Sequence, residues 1–143
     1  MIARKATLAG AAGGCQAEIG AASSMAAGAA VYLMGGNGEA ISHGAALAMK
    51  GLLGLVCDPV AGLVEVPCIK RNVIGAVNAL TSADMVLAGI RSRIPADEVF
   101  DAMRQVGRAL PEELRETARG GLAVTPTGKN IRDMLEEGSP DGY

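Results

Sequence analysis

The chain has 143 residues, of which half are hydrophobic, and it carries a formal net charge of −2 at pH 7. This length is typical of one ordinary domain. The charge balance leaves no basic face for phosphates, and only two tyrosines and one phenylalanine are present as platforms for stacking bases. Composition therefore excludes nucleic acid as a partner.

The charged residues are concentrated in the second half of the chain. Only five lie between Gly13 and Pro67, whereas 18 lie from Arg91 onward. The bulk of the first half comes from Ala, Leu, Val and Met, and its many small side chains allow helices to approach closely. A domain of this size has too little outer layer to cover so many uncharged helical residues. The sequence therefore predicts that another segment or another chain covers part of the apolar surface.

Two segments have some features of membrane signals. Arg4 and Lys5 precede a short apolar run that ends at Cys15, but this run is too short and too rich in glycine for a secretory leader. Residues 19–38 form an uncharged span long enough to cross a bilayer. Its apolarity comes mostly from Ala and Gly, so transfer into lipid would gain little. We predict a buried core helix here and no membrane association.

The helical patterns predict an all-α fold, a compact bundle of Ala/Gly-rich helices. The first helix is expected over residues 16–34 and the second over 39–53, where apolar residues keep helical spacing. The third, over 69–91, is apolar nearly all round and is expected in the middle of the bundle. A fourth, amphipathic helix starts at Pro95, a residue suited to the first turn of a helix.

The intervening and terminal segments are less regular. Residues 54–67 contain two prolines, two glycines and several β-branched residues, which predicts an extended, cysteine-bearing loop between the second and third helices. Pro111 is expected to begin a short helical piece that ends near residue 119. Residues 1–124 thus form one helical domain, and residues 125–143 form a loosely ordered tail with a possible turn at 131–135.

Three cysteines occupy positions 15, 57 and 68, a spacing that matches no CxxC pattern for zinc or redox chemistry. A glycine pair precedes Cys15, a proline lies two residues after Cys57, and another proline directly precedes Cys68. A closed structural zinc site needs four ligands, whereas three thiolates suit an iron-sulfur cluster with one open iron. The alternative is that all three are small buried hydrophobic residues. An odd cysteine count without a leader favours a reducing compartment.

Three strings carry a resemblance: GGCQAEIG, GLVCDPVAGLVEVPCIKRN and LRETARGGLA, in this order. They closely resemble the α chain of bacterial iron-sulfur-dependent L-serine dehydratases, also called L-serine ammonia-lyases, over residues 10–128. The resemblance implies that Cys15, Cys57 and Cys68 hold a [4Fe–4S] cluster by three of its irons. It further implies cytoplasmic deamination of L-serine to pyruvate and ammonia by elimination at the open iron, without pyridoxal phosphate (PLP).

Other polar residues are weaker candidates for the chemistry. His43 is the only histidine and is a candidate proton carrier or substrate contact, although a hydrogen-bonded structural role is the alternative. Lys70, Arg71 and Asn72 follow Cys68 and are candidates for binding the substrate carboxylate, the alternative being a solvated charge pair at a helix start. Arg119, in the family's ETARGG string, is expected either to bind carboxylate or to fix the chain end. Asp58 and Glu65 either support the cysteine loop or are merely solvated.

The chain departs from the family pattern in two ways. The family's SGAEGGC string has Ser and Glu where this chain has Ala9 and Ala12, which predicts thinner polar surroundings for Cys15. The family's α chain is also longer, so we expect this chain to be a C-terminal portion, completed by an N-terminal half and a β chain in an oligomer. The alternative is a non-catalytic helical subunit with buried structural cysteines.

Overall fold

The computed structural model describes residues 1–138, and every regular element within them is helical. The predicted all-α fold is therefore confirmed. The described residues contain seven α-helices: α1 (Ile2–Lys5), α2 (Gly10–Gly13), α3 (Ala21–Leu33), α4 (Gly38–Lys50), α5 (Cys68–Leu87), α6 (Ala96–Ala109) and α7 (Pro126–Glu136).

A π-helical turn over Gln16–Gly20 leads into α3, which packs against α4 and α5. Glycines, which have no side chain, allow these helices to pack closely. A Cβ on Gly75 of α5 would lie 2.7 Å from Ile19 Cγ2, and one on Gly44 of α4 would lie 3.0 Å from Val31 Cγ2. The Ala/Gly-rich composition thus serves helix contact. No helix within residues 1–138 is both long enough and apolar enough to span a bilayer.

The main core lies where α6 packs against α4 and α1. Val99, Phe100 and Met103 of α6 pack with Met49 of α4 and Ile2 of α1, and all five are buried. Burial of each such side chain contributes about 1.5–3 kcal/mol to folding. The charged residues of α6 point away from this core, as expected for the predicted amphipathic helix.

A buried polar network joins α3, α4 and α5. The Asn78 side-chain nitrogen donates to Ser23 Oγ and to the Ala48 carbonyl oxygen, each at 2.9 Å, and Ser23 Oγ donates to the Gly75 carbonyl oxygen at 2.7 Å. Buried polar groups cost free energy unless they are paired. The network therefore fixes the three helices in one register, which apolar contacts alone specify less tightly.

The predicted position of α5 in the middle of the bundle is wrong for the described residues. Its small residues face α3, but Val73, Ile74, Val77 and Leu80 are about 60% exposed (58–63%). Large exposed side chains at this spacing form a continuous apolar stripe, which we call the outer face of α5. An apolar pattern all round a helix does not say whether other helices surround it or whether one apolar face stays exposed among the described residues.

The segments after α6 also differ from the predictions. Only Glu112–Leu114 forms a short 3-10 turn, where the sequence predicts a helical piece to residue 119. In contrast, the tail contains the full helix α7, which is longer than the predicted turn at 131–135. Thr125 begins α7, since its hydroxyl accepts a hydrogen bond from the Gly128 backbone nitrogen at 3.1 Å. Residues 139–143 lie outside the described part.

Candidate cysteine site

Three separate segments bring the cysteines together. Cys15 directly precedes the π-helical turn, Cys57 lies between α4 and α5, and Cys68 is the first residue of α5. Cys15 and Cys57 share one buried cluster with Ile19 and Leu52, and Cys68 packs against that cluster. All three cysteines are free thiols. We call this arrangement the cysteine site.

The backbone turn ahead of Cys15 requires Gly14. Its φ of +73° lies in the left-handed region that side chains disfavour. A Cβ at this position would come within 2.8 Å of both the Leu55 carbonyl oxygen and Leu110 Cδ1. Glycine therefore supplies both the backbone conformation and the space that allow Cys15 to lie against residues 54–67, which we call the cysteine loop.

Replacing Gly14 with Ala is expected to destabilise the fold by about 2 kcal/mol or more. The left-handed conformation alone costs roughly 1–2 kcal/mol, and the Leu55 carbonyl belongs to the backbone and cannot swing aside. Gly35→Ala is a matched control, because Gly35 has φ +85° but a Cβ added there would have no neighbour within 4 Å. Urea unfolding followed by circular dichroism measures both losses, and equal losses would contradict the steric contribution at Gly14.

Gln16 is fully buried and joins three segments. Its side-chain nitrogen donates to the Met103 carbonyl oxygen at 2.9 Å, and its side-chain oxygen accepts from the Gly54 backbone nitrogen at 3.0 Å. Its backbone nitrogen donates to the Leu55 carbonyl oxygen at 3.0 Å. These bonds fix the residue that follows Cys15 against α6 and against the start of the cysteine loop.

The backbone of Cys57 pairs with the segment that follows α6. Its nitrogen donates to the Leu114 carbonyl oxygen, and its carbonyl oxygen accepts from the Glu116 nitrogen, both at 2.8 Å. The two segments run parallel at this isolated bridge. This pairing uses backbone groups that a helix over 111–119 would have bonded internally, which explains why that predicted helix does not form.

Three non-glycine residues near the site have left-handed backbones: Ala61 at φ 53°, Glu116 at φ 68° and Ala118 at φ 53°. Ala61 lies between Cys57 and Cys68, Glu116 belongs to the segment that pairs with Cys57, and Ala118 follows that segment. Each such conformation costs about 1–2 kcal/mol. Strain of this kind persists where the surroundings impose it, and it is concentrated at functional sites. The backbone around the cysteines is thus held in a conformation that local preference alone would not select.

Asp58 and Arg71 form a buried ion pair beside the cysteines. Asp58 is 3% exposed, and its Oδ1 lies 2.6 Å from Arg71 Nη1. The same Nη1 donates to the Val56 carbonyl oxygen at 3.0 Å, and Asp58 Oδ2 accepts from the Leu122 backbone nitrogen at 2.8 Å. Asp58 is therefore neither solvated nor free, and it tethers the cysteine loop to α5 and to the 3-10 turn Gly121–Val124.

The cysteine thiols affect one another's protonation. Burial raises the pKa of the Cys57 thiol well above its ordinary range, and the neighbouring Cys15 thiol adds to this effect. Burial and Cys15 likewise raise the pKa of the Cys68 thiol, whereas the positive charge of Arg71 opposes this rise. Without a bound cation, the site therefore favours protonated thiols, and thiolates there need a positive charge nearby.

A cavity of about 420 Å³ opens beside Cys57 and Cys68. Its polar lining comes from Glu18, Glu116 and Asn72, and the rest of its wall is mostly apolar. A larger groove of about 690 Å³ is lined mainly by apolar residues of α1, α3 and α4. That groove contains no cysteine and few groups to orient a polar ligand, so the smaller cavity is the better candidate for chemistry.

The cysteine-bearing segments and the segment after α6 that pairs with Cys57 all fall within one family match. The family described as "Serine dehydratase alpha chain" matches residues 1–123. The chain belongs to this family. Its resemblance to L-serine dehydratase α chains, inferred above from three strings, is thereby confirmed.

Curated relatives in this serine dehydratase family carry matching descriptions. The chain is 66% identical to "Probable L-serine dehydratase, alpha chain" of Latilactobacillus sakei, covering 94% of this chain and 65% of that relative. It is 57% identical to the Bacillus subtilis protein of the same description, covering 97% and 46%, respectively. It is 54% identical to "L-serine dehydratase, alpha chain" of Peptoniphilus asaccharolyticus, covering 96% and 48%. The chain thus spans between about half and two thirds of these relatives.

None of the three predicted catalytic residues lines the cysteine cavity. His43 lies on α4 with its Nε2 3.4 Å from Glu39 Oε1. The exposed Lys70 donates to the Glu65 carbonyl oxygen at 3.3 Å, and the exposed Arg119 pairs with Glu112. Their catalytic roles remain predictions, because nothing in residues 1–138 brings them to the cysteines.

Sequence reasoning missed Gln16 and Glu116, and it named Arg71 only as a contact for the substrate carboxylate, not as the partner of Asp58. Gln16 directly follows a cysteine, and a polar side chain in that place is a detectable signal of a buried polar contact. Arg71 resembles Lys70 in the sequence, as a charge at a helix start, although only Arg71 is paired and partly buried. Glu116 gives no signal, because its place in the cavity depends on pairing with a distant cysteine.

Proposed function

We propose that the chain is the cysteine-bearing part of an iron-sulfur-dependent L-serine dehydratase, which converts L-serine to pyruvate and ammonia in the cytoplasm. One observation carries the proposal: thiols from three separate segments meet in one buried cluster, and two of them, Cys57 and Cys68, line a cavity with polar groups on its wall. The relatives' descriptions as L-serine dehydratases support the choice of substrate.

The donor chemistry fits a [4Fe–4S] cluster held by Cys15, Cys57 and Cys68. Within residues 1–138, no three His, Cys, Asp or Glu side chains are grouped to hold a metal ion. Thiolates of an iron-sulfur cluster each bind a separate iron, so they need not surround one point. The side chains packed with the three cysteines are aliphatic, which leaves sulfur as the only soft donor there.

When bound, the cluster would supply a Lewis-acidic iron for the hydroxide that leaves Cβ of serine. The polar wall formed by Glu18, Glu116 and Asn72 would hold the ammonium and carboxyl groups of a small amino acid through charge and hydrogen bonds. The apolar remainder of the wall limits water near the reacting carbons. Loss of the Cα proton and the Cβ hydroxide gives aminoacrylate, whose imine tautomer hydrolyses to pyruvate and ammonia.

Further chain material completes this enzyme in our proposal. The outer face of α5 exposes four large aliphatic side chains in one stripe. Monomeric proteins rarely leave a continuous apolar patch of this kind exposed to water. Relatives in the family are longer than the region they share with this chain. We infer that additional α-chain residues cover α5 and that a β chain joins them in an oligomer.

The competing function is a non-catalytic helical subunit. The burial of Cys15 and Cys57 favours it, because buried free cysteines commonly act as small hydrophobic residues. This hypothesis predicts a metal-free protein with unreactive thiols. It does not explain why a cavity with two carboxylates adjoins Cys57 and Cys68.

Anaerobic expression with the flanking coding sequences tests the proposed function. The expected result is about four irons and four sulfides per chain, with broad visible absorbance, and pyruvate formation that requires L-serine. L-Threonine assayed in parallel measures substrate preference. Exposure to air provides a control, because oxidation should remove iron and activity together. Iron-free protein that remains folded and inactive would support the competing function.

A further inference from the structure

The Asp58–Arg71 pair connects the segments that carry two of the cysteines. Asp58 directly follows Cys57, and Arg71 lies on α5 one turn after Cys68. Their contact at 2.6 Å therefore joins the cysteine loop to the start of α5. The bond from the Leu122 nitrogen to Asp58 Oδ2 extends the same tether to a third segment.

Stability alone is a poor explanation for this ion pair. Burying two charges costs free energy, and apolar residues of similar volume often stabilise a protein equally well. Here both groups also make bonds to backbone atoms, which fixes their geometry closely. Gly121 is part of that arrangement: its φ is +57°, and a Cβ there would lie 2.7 Å from Asp58 Cβ.

Arg71 also lies close to the third cysteine. Burial lowers the pKa of its guanidinium, but the hydrogen bond and charge of Asp58 raise it, and the Cys15 thiol contributes in the same direction. Arginine remains charged in essentially all protein environments. The guanidinium is thus a permanent positive charge beside the cysteine site, held in place by Asp58.

We propose that Asp58 and Arg71 are positioning residues of the cysteine site. Asp58 orients the guanidinium, and the charged hydrogen bond between the two side chains holds the Cys57 and Cys68 segments together. The inference rests on the proposed function for its link to a cluster. The arrangement of the thiols that it predicts can be measured without one.

The variants separate charge, geometry and simple folding effects. Asp58→Asn and Arg71→Gln each break the ion pair, whereas Arg71→Lys keeps the charge but replaces the planar guanidinium with a flexible ammonium group. The double variant Asp58→Asn/Arg71→Gln restores a neutral hydrogen-bonded pair and so avoids leaving one buried charge alone. Asp101→Asn is the matched control, because it breaks an ion pair with Lys5 far from the cysteines.

Phenylarsine oxide, which binds closely spaced thiols, probes the cluster-free protein by native mass spectrometry. We expect Asp58→Asn and Arg71→Gln to weaken its binding at least tenfold and Arg71→Lys to recover part of the loss. The neutral double variant should regain the melting temperature but not the arsenical affinity. Unchanged binding in the single variants, or full recovery in the double variant, would overturn the positioning role. Should a single variant not fold, Arg71→Lys and the double variant decide the question.

Anaerobic reconstitution of the same proteins adds a second measurement. Chelator-induced iron release should become at least tenfold faster in Arg71→Gln, and the reduction potential should fall because a nearby positive charge is lost. Asp101→Asn should match the wild type in both. Wild-type protein that never takes up iron would refute the proposed cluster. The binding of phenylarsine oxide would still test the role of the Asp58–Arg71 pair in that case. Iron-loaded variants with unchanged release and potential would refute this inference alone.

Discussion

Alanine at Cys57 is expected to abolish cluster binding and serine-dependent pyruvate formation. Cys57 is 3% exposed and contacts Cys15, so no other side chain in the described residues stands ready to replace its sulfur. Loss of groups that merely orient a metal ligand costs about 10–100-fold in affinity or activity. Loss of the ligand itself should exceed about a hundredfold. Iron content, visible absorbance and pyruvate release in the completed enzyme measure the effect.

Folding effects must be separated from ligand loss in this experiment. The backbone bonds of Cys57 to Leu114 and Glu116 do not depend on its side chain, so the variant should keep its helical content. Val60→Ala is a suitable control, because Val60 is 2% exposed in the same loop but has no donor atom. It should lose stability yet retain full iron content. An iron-loaded, fully active Cys57→Ala enzyme would refute the ligand assignment.

The helices that could be predicted are those whose signals are local. Apolar spacing and glycine or proline boundaries indicate α3, α4 and α6 within a few residues of their observed ends. Their contacts follow from the same residues, because Gly44 and Gly75 mark points where helices touch. The sequence also predicts that part of the apolar surface is covered by other chain material, and the outer face of α5 is an apolar stripe that the described residues leave exposed.

The segment after α6 could not be predicted, because a distant contact overrides its local preference. Residues 111–119 contain several good helix formers, yet this stretch pairs with Cys57 more than 50 positions earlier. Glu116, whose nitrogen bonds Cys57, and Ala118 have left-handed backbones in the same stretch, which a helix does not allow. Conversely, the sequence predicts little more than a turn at α7, because Pro126 and Gly128 look like breakers. In the structure they occupy the first turn of the helix.

The supporting residues of the cysteine site are harder to find than the cysteines. A cysteine carries its chemistry in its residue type, so position alone suggests a ligand. The roles of Gln16, Asp58 and Arg71 depend on partners that lie 87, 64 and 13 positions away, respectively. No periodic pattern reports contacts over such separations. Buried polar residues next to candidate ligands are therefore the feature that sequence reading undervalues.

Replacing Gln16 with Glu is expected to destabilise the fold by about 3–5 kcal/mol at pH 7.5, the cost of an uncompensated buried charge. The change keeps the shape of the side chain. A carboxylate can still accept from the Gly54 nitrogen, but it can no longer donate to the Met103 carbonyl oxygen 2.9 Å away. Two oxygens would then face each other in a fully buried place.

The loss in Gln16→Glu should depend on pH with a defined sign. Burial should raise the pKa of the new carboxyl above its unfolded value of about 4.3, so the folded state binds the proton more tightly. The variant is then nearest to wild-type stability below that unfolded value. It loses about 1.4 kcal/mol for each pH unit up to the folded pKa. Gln105→Glu, on the exposed side of α6, is the matched control. Urea unfolding at pH 5 and pH 7.5 compares the two variants, and a pH-independent difference between them would contradict the hydrogen-bonding role of Gln16.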